Sequence, residues 1–273
     1  MSDNASFSVI VTEGVHDVMA IARILQLKGF REARHIEEIP DFLENIIPKQ
    51  YPFEGSELSR RVPYPSFFFR GDYWILVSNA GGDSKLISNL KELLNTPRRK
   101  DIISRLRGAA VLADADAKTA MERRDELQNQ LVEVFRAEDD FEFTTPTQLT
   151  MYGEIKSFDM YIFPDNRNQG TLERILLEGA QAEYPDLLRG ANGYVTYAKG
   201  LSCGDTLKNF NEEKAVVGAI VSVLKPGKAP QASFHDDNWI TANSLLELPL
   251  HQSLSDFIET IIEWALDPLP LGS

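Results

Sequence analysis

The hydrophobic positions along the chain recur with two different spacings. Short apolar runs such as FSVIVTEG and GAAVLADAD, which end in acidic residues or glycine, predict buried β-strands. Stretches such as HDVMAIARILQLKGF, with apolar residues three or four positions apart, predict amphipathic helices. Strand and helix alternate along most of the chain. This order predicts an α/β fold in which helices flank a mainly parallel central sheet.

Two departures from the alternation suggest how the chain is organised. Residues 31–66 are rich in Pro, Glu and Arg, which predicts an irregular insertion after the first helix. From residue 184 onward the pattern becomes more helical. We therefore expect an α/β core over residues 1–183, insertion included, and a mostly helical extension over residues 184–273 that packs on this core.

The composition narrows the classes of function. Of 273 residues, 43% are hydrophobic, which is enough for a substantial core. The net charge of -13 argues against attraction of the whole surface to nucleic acid or an anionic membrane, so a nucleic-acid role needs a local basic patch or a bound metal. The single cysteine, Cys203, excludes an internal disulfide and a multi-cysteine zinc site. Because the sequence shows neither an export signal nor a long apolar stretch, we expect a soluble cytoplasmic protein that makes no membrane contact.

Acidic residues or glycines follow four predicted strands. They are Glu13, the pair Gly81 and Gly82, the pair Asp114 and Asp116, and Asp165. Because ligands bind at the carboxyl ends of the strands in open α/β sheets, these residues are candidates for a shared site.

The pair in AAVLADADAKTAMERR allows two interpretations. If the strand continues through it, Asp114 and Asp116 point to the same side, where their like charges need a shared proton or a cation. Alternatively, Asp116 is the N-cap of the helix that follows. The residues themselves leave both alternatives open.

Several of these motifs carry a family resemblance. VIVTEGVHD resembles the Glu motif that opens the TOPRIM domain, and VLADAD resembles its later Asp-x-Asp motif. TOPRIM domains occur in topoisomerases, primases and OLD-family nucleases. The NAGG turn, YIFPDNRNQGTLERILLE and Lys214 in NEEKA resemble more narrowly a bacterial family of stand-alone TOPRIM-like proteins, and the resemblance covers most of residues 7–224. The chain has neither the zinc-binding cysteines of a primase nor an attached ATPase, so a stand-alone nuclease-like enzyme remains.

The resemblance implies a Mg²⁺ or Mn²⁺ site and a set of residues around it. It implies metal ligation by Glu13, Asp114 and Asp116. By similarity to OLD-type nucleases it also implies a second metal on Asp165 and Glu173 and a contact of Lys214 with the scissile phosphate. Asp17, one helical turn beyond Glu13, is a candidate outer ligand, and Gly81 and Gly82 are candidates for cofactor contacts. Most of these have a simpler alternative. Asp17 favours a helix N-terminus, Asp165 suits a turn, Glu173 is expected to be solvated, and Lys214 is expected at the surface.

Two functions follow as expectations. The first is a Mg²⁺- or Mn²⁺-dependent phosphodiester hydrolase that acts on DNA or RNA, with Glu13 and Lys214 as catalytic residues. The second is a non-catalytic regulatory module that binds a protein or a nucleotide, and a homodimer or a complex with a partner protein is compatible with either. The hydrolase needs cations near the acidic edge to hold phosphates. The candidates are Arg60, Arg61, Arg70, Lys85, Arg167 and Lys214.

Overall fold

The computed structural model describes residues 5–44, 46–47, 65–95, 103–135, 141–145 (backbone), 147–202, 204–207 and 210–265. Its strands are β1 (Ser6–Thr12), β2 (Arg31–Glu32), β3 (Ser66–Arg70), β4 (Tyr73–Asn79), β5 (Leu106–Asp114), β6 (Phe141–Thr145), β7 (Gln148–Met151) and β8 (Glu154–Phe163). Its α-helices are α1 (Val15–Leu27), α2 (Asp41–Glu44), α3 (Leu86–Leu94), α4 (Ala120–Phe135), α5 (Leu172–Glu183), α6 (Pro185–Lys199), α7 (Asn211–Leu224), α8 (Pro230–Asp236), α9 (Ser244–Glu247) and α10 (Pro249–Glu263).

The strands form a single sheet in the order β2-β3-β4-β1-β5-β8-β7-β6. The four central strands, β4, β1, β5 and β8, are parallel to one another. Antiparallel pairs extend the sheet at both sides, through β3 and β2 next to β4 and through β7 and β6 next to β8. The predicted α/β fold with a parallel centre and flanking helices is confirmed.

Helices cover both faces of the sheet because side chains alternate along each strand. In β1, Ile10 points into one apolar layer, together with residues from α1, α5, α6, α7, α8 and α10. Val9 and Val11 point into the other layer, with residues from α2, α3 and α4. The helices after residue 184 thus pack on the same face as α1, and the prediction of a more helical C-terminal part is confirmed.

The edge strands were not predicted from the sequence. The short strands β2, β6 and β7 lie in segments without a clear apolar run. The described part of the 31–66 insertion holds β2, a 3-10 turn at Ile36–Glu38, and α2, while residues 45 and 48–64 lie outside the described residues. No helix in the described part of the chain has both the length and the apolar character needed to cross a bilayer.

The connections leave a crevice at one edge of the sheet. After β1 the chain enters α1 on one face, and after the neighbouring β5 it enters α4 on the other face. Adjacent parallel strands whose helices leave to opposite faces create the topological switch point at which α/β proteins bind ligands. The crevice lies beyond Thr12 and Asp114, the last residues of these two strands.

Candidate functional site

The site lies where the four central strands end together. Thr12 of β1 is in register with Asn79 of β4 and with Leu112 of β5, and Asp114 is in register with Phe163 of β8. The residues that follow each strand therefore meet at one edge, as the sequence pattern predicted for the carboxyl ends.

Glu13 bridges the crevice between β1 and β5. Its Oε1 accepts a hydrogen bond of 3.0 Å from the Asp114 backbone N–H, and the same oxygen is 3.2 Å from Nη2 of Arg123. Burial raises the pKa of Glu13, the negative charge of Asp83 raises it further, and Arg123 opposes both effects. Glu13 is therefore a desolvated carboxylate whose charged form is stabilised by Arg123 and by the Asp114 N–H.

Asp17 lies one helical turn further, at the start of α1. Its Oδ2 accepts a hydrogen bond of 2.8 Å from the Gly14 N–H, so the helix-terminus interaction expected for it is present. The side chain is nevertheless buried. Burial, followed by the charges of Glu13 and Glu173, raises the pKa of Asp17 to about 7, against the effect of the Gly14 hydrogen bond. Asp17 thus caps the helix and also belongs to a group of interacting carboxylates.

Asp114 joins β5 to the start of α5. Its Oδ1 accepts a hydrogen bond of 3.1 Å from the Leu172 N–H. Burial raises the pKa of Asp114 well above its usual value, and the charges of Asp17, Glu13 and Glu173 raise it further. These three carboxylates therefore lie within electrostatic range of Asp114, and we refer to Glu13, Asp17, Asp114 and Glu173 as the acidic cluster.

Glu173 reaches the cluster from the first turn of α5. It is buried, and its Oε2 accepts a hydrogen bond of 2.6 Å from the Thr171 hydroxyl. The alternative that this residue is a solvated carboxylate is wrong, because α5 packs its first turn into the core beside Leu172. Glu173 contributes a fourth carboxylate from the segment that follows β8.

Lys214 and His16 lie on the α1 side of the cluster. Lys214 is exposed in the first turn of α7, and its positive charge lowers the pKa of both Asp17 and His16. Burial is the main reason that the pKa of His16 is lowered, and the ring of His16 packs edge-on against Phe234 at 4.9 Å. Although His16 lies inside the EGVHD motif, no spacing in the sequence distinguishes it as a site residue.

Arg123 is the second functional candidate that the sequence did not reveal. Its side chain is only 5% exposed, and it forms ion pairs with Glu13, Asp83 and Glu126. Its Nε also donates a hydrogen bond of 3.2 Å to the backbone carbonyl of Asp114. Because it lies in the polar segment MERRDELQNQ, nothing in the spacing of residues distinguishes it from a surface arginine.

Asp116 does not follow the expectation derived from strand alternation. The strand β5 ends at Asp114, so the side-chain alternation does not extend to Asp116, which is exposed and has a left-handed φ of 51°. Its backbone N–H and carbonyl pair with Gly170 instead, at 2.9 and 3.1 Å. A metal-ligand role for Asp116 therefore depends on the motif alone.

The alternative role of Asp116, as a helix N-cap, is also wrong. The helix α4 begins at Ala120, and Thr119 and Glu122 exchange cap hydrogen bonds there. The Thr119 hydroxyl accepts from the Glu122 N–H at 3.2 Å, and the Glu122 carboxylate accepts from the Thr119 N–H at 2.8 Å.

This difference gives a direct stability test. Thr119→Ala should lower the free energy of unfolding by about 1 kcal/mol, the usual effect of losing an N-cap hydroxyl. Asp116→Ala should lower it by less than Thr119→Ala does, because it removes no cap hydrogen bond and costs only the weaker preference of alanine for a left-handed φ. Urea unfolding of both variants in EDTA measures the two values, and a larger loss for Asp116→Ala would contradict this assignment of the cap.

Asp165 is occupied by its own turn. Its carboxylate accepts hydrogen bonds from the N–H groups of Arg167 at 3.1 Å and Asn168 at 2.8 Å, and from the Asn168 side chain at 2.6 Å. Burial raises the pKa of Asp165, but these hydrogen bonds outweigh it and lower the pKa overall. The turn alternative thus describes its contacts, and the second metal on Asp165 and Glu173 stays a prediction.

Gly81 and Gly82 form a turn that contacts the backbone of Glu13. Both have positive φ, 75° and 135°, a region that favours glycine. The Gly82 N–H donates to the Glu13 carbonyl at 2.9 Å. The turn also presents the next residue, Asp83, to Arg123. It therefore contributes to the position of Glu13, while the predicted cofactor contact stays a prediction.

The cations proposed for phosphate binding are divided among three locations. Lys85, Arg167 and Lys214 are exposed in segments at the edge that carries the acidic cluster. Arg70 lies at the opposite edge, because it pairs with Tyr73 at the start of β4. Arg60 and Arg61, like Cys203, lie outside the described residues.

The cluster suits a hard divalent cation by its chemistry. Each of its four carboxylates accepts hydrogen bonds through one oxygen, and the other oxygen has no hydrogen-bond donor among the described residues. Mg²⁺ typically binds through one or two carboxylates and retains several waters. Within the described ranges, no three Asp, Glu, His or Cys side chains have the spacing of an assembled metal site. The donors therefore fit Mg²⁺ or Mn²⁺, whereas a preformed three-ligand site is not present in that part of the chain.

Comparison with known proteins gives a family and a related fold. No curated protein shows significant sequence similarity to the chain. The crystal structure of hypothetical protein PH0156 from Pyrococcus horikoshii OT3 matches with a TM-score of 0.53 and 18% identity, over 96% of this chain and 97% of that one. At this identity the likeness shows the fold alone. The model of the family described as "Protein of unknown function (DUF3226)" matches residues 8–263. Because this match spans most of its length, the chain belongs to the DUF3226 family.

Proposed function

We propose that the chain is a Mg²⁺- or Mn²⁺-dependent phosphodiester hydrolase that acts on DNA or RNA at the acidic cluster. One observation carries the proposal. Carboxylates from the segments that follow three parallel strands, β1, β5 and β8, converge on one crevice. Burial raises the pKa of Glu13, Asp17 and Asp114 there, and the charges of other cluster members raise it further for Asp17 and Asp114.

Such a cluster opposes folding. Buried like charges destabilise the native state unless a proton or a cation is shared among them. Strongly shifted pKa values in a crevice are typical of functional sites, and a divalent cation would remove the repulsion. The resemblance of VIVTEG and VLADAD to the TOPRIM motifs supports the same cation and the same reaction class.

Different residues of the chain would bind the metal and the phosphate. A bound Mg²⁺ or Mn²⁺ would supply charge neutralisation at the phosphate and an activated water. Glu13 and Asp114, which are connected through a hydrogen bond, would hold the cation. Lys214, exposed and within electrostatic range of Asp17, would bind a phosphate oxygen that the carboxylates alone would repel. Lys85 and Arg167 would extend this attraction along the same edge.

A regulatory module without catalysis is the second candidate. Arg123 already occupies one oxygen of Glu13, and the acidic net charge of -13 disfavours long nucleic acids over the whole surface. A protein of this kind would bind the metal and a nucleotide or protein partner without cleaving a phosphodiester.

A cleavage assay with a metal-binding control separates the two functions. Supercoiled plasmid, single-stranded DNA and RNA are incubated with the purified chain in EDTA, Mg²⁺ or Mn²⁺. We expect cleavage of at least one substrate in metal only, and a metal-dependent rise in melting temperature. A ligand at 100 times its Kd stabilises the folded state by about 2.7 kcal/mol.

Cleavage and the shift in melting temperature together distinguish the two functions. Stabilisation by metal without cleavage of any substrate would favour the regulatory module. A melting temperature that is indifferent to both metals, together with no cleavage, would contradict both the hydrolase and the metal site.

A further inference from the structure

Arg123 is buried in an otherwise polar helix. It is the one buried arginine among the described residues, whereas the side chain of its neighbour Arg124 is about a third exposed. A guanidinium is always charged at physiological pH, and its burial is costly unless acceptors surround it. The acceptors around Arg123 therefore indicate why it is there.

Besides Glu126 on its own helix, the acceptors of Arg123 come from three different strand ends. Nη2 of Arg123 contacts Glu13 Oε1 at 3.2 Å and also pairs with Asp83, and Nε donates to the Asp114 carbonyl at 3.2 Å. Glu13 follows β1, Asp83 follows β4, and Asp114 ends β5. One guanidinium thus connects the ends of three adjacent strands around the crevice.

Arg123 contacts only one of the two carboxylate oxygens of Glu13. Arg123 and the Asp114 N–H both use Oε1 of Glu13, so the carboxylate is fixed through one oxygen. The second oxygen, Oε2, has no donor among the described residues. A carboxylate held in this way loses less conformational freedom when its other oxygen binds a cation.

We propose that Arg123 is a positioning residue for Glu13, which fixes the carboxylate through Oε1 and leaves Oε2 free for a divalent cation. This inference depends on the proposed function, since it requires that Glu13 binds a metal. The guanidinium of Arg123 also places a positive charge beside the Glu13 carboxylate, as its counter-charge in this buried setting.

The experiment measures Mn²⁺ affinity of the folded protein, by electron paramagnetic resonance of free Mn²⁺ and by calorimetry. Arg123→Met should weaken Mn²⁺ binding at least tenfold, because Glu13 loses both its orientation and its counter-charge. The matched control is Arg124→Met on the same helix, whose side chain pairs with Asp159 and not with the cluster. It should bind Mn²⁺ within twofold of the wild type.

A second pair of variants separates positioning from simple structural support. Asp83→Ala removes one partner of Arg123 but leaves Glu13 in place, so Mn²⁺ affinity should stay within twofold. If Arg123 only tied the strand ends together, Asp83→Ala and Arg123→Met would lower the affinity in parallel. Arg123→Lys, which keeps the charge but not the fork of donors, should bind Mn²⁺ about threefold or more weakly, while Arg124→Lys should not differ from the wild type.

Each result has one meaning. If Arg123→Met does not fold, the comparison of Arg123→Lys with Arg124→Lys gives the answer. Wild-type protein that binds Mn²⁺ no differently from Arg123→Met and Arg123→Lys would overturn the positioning role and leave the proposed function intact. Wild-type protein that does not bind Mn²⁺ would overturn the proposed function and this inference with it.

Discussion

In EDTA at pH 8, Asp17→Asn is expected to raise the melting temperature of the protein by roughly 5–10 °C. Asp17 is buried in the acidic cluster, where its pKa is raised to about 7. The asparagine keeps an oxygen for the Gly14 N–H and removes the buried charge. The wild type should lose most of this disadvantage when Mn²⁺ is added.

How the stability of the wild type changes with pH follows from the pKa of Asp17 in the unfolded and in the folded state. An aspartate in the unfolded chain has a pKa of about 3.9. With a value of about 7 in the folded state, the folded protein binds the proton more tightly between these two pH values, so its stability falls as the pH rises through this window. The full difference corresponds to about 4 kcal/mol above pH 7. At pH 5 less than half of it is expressed.

The comparison between variants isolates this residue. Burial lowers the pKa of both His16 and His251, so their contributions to stability increase as the pH rises towards about 6.5, opposite to that of Asp17. Subtracting the wild-type curve from that of Asp17→Asn at pH 5, 6, 7 and 8 cancels them. The difference should grow with pH and level off above pH 7.

Asp165→Asn provides a control of opposite sign. The pKa of Asp165 is lowered because its turn hydrogen bonds outweigh burial, so its charge stabilises the fold above about pH 4. The variant should therefore melt below the wild type at pH 8. A difference curve for Asp17→Asn that is flat with pH would show that Asp17 does not carry the proposed repulsion.

The sequence predicted the centre of the fold because the central strands are buried on both faces. Runs such as those of β1 and β5 are apolar almost throughout, which is typical of parallel strands covered by helices. The carboxyl ends of these strands could be located to within a residue, and with them Glu13 and Asp114. The edge strands lack this signal, since β2 has two residues and β7 has four.

Asp116 shows why a correct strand prediction did not give correct side-chain directions. From the sequence, the alternation of side-chain directions in β5 is expected to continue through ADAD. In the structure, however, the pairing of β5 with β8 ends at Asp114, which is opposite Phe163. Beyond this point the backbone turns, with positive φ at Asp116, to pair with Gly170. The length of a strand is set by its neighbour in the sheet, which a single run of residues does not reveal.

Arg123 and Glu173 show the same limit for helices. Both occupy positions that look solvated in sequence, yet both are buried, because their helices begin at the crevice and turn these side chains towards it. The signal that identifies them is their position in the first turn of a helix that follows a strand with an acidic end. That position becomes informative only when the neighbouring strand ends are known.

Glu13→Gln is expected to reduce metal-dependent cleavage by about 10³-fold or more while the fold is retained. The glutamine keeps an oxygen for the Asp114 N–H and removes the charge that the cation requires. A metal ion contributes several kcal/mol of charge stabilisation to such a reaction, and each 1.36 kcal/mol is a factor of ten in rate. Glu126→Gln is the matched control, because Glu126 also pairs with Arg123 but is half-exposed and lies outside the cluster.

Lys214→Ala should affect cleavage in a different way. The ammonium of Lys214 is proposed to bind phosphate, so its loss should lower the cleavage rate about 10–100-fold, as for a lost charge-assisted hydrogen bond, with Mn²⁺ affinity changed by less than twofold. Lys228→Ala, an exposed lysine beyond the other end of α7, should leave both quantities unchanged. Single-turnover cleavage and Mn²⁺ titration of the four variants give the two measurements. Undiminished cleavage by Glu13→Gln would identify a contaminating nuclease, and a Lys214→Ala variant that loses Mn²⁺ affinity rather than rate would remove this lysine from the phosphate site.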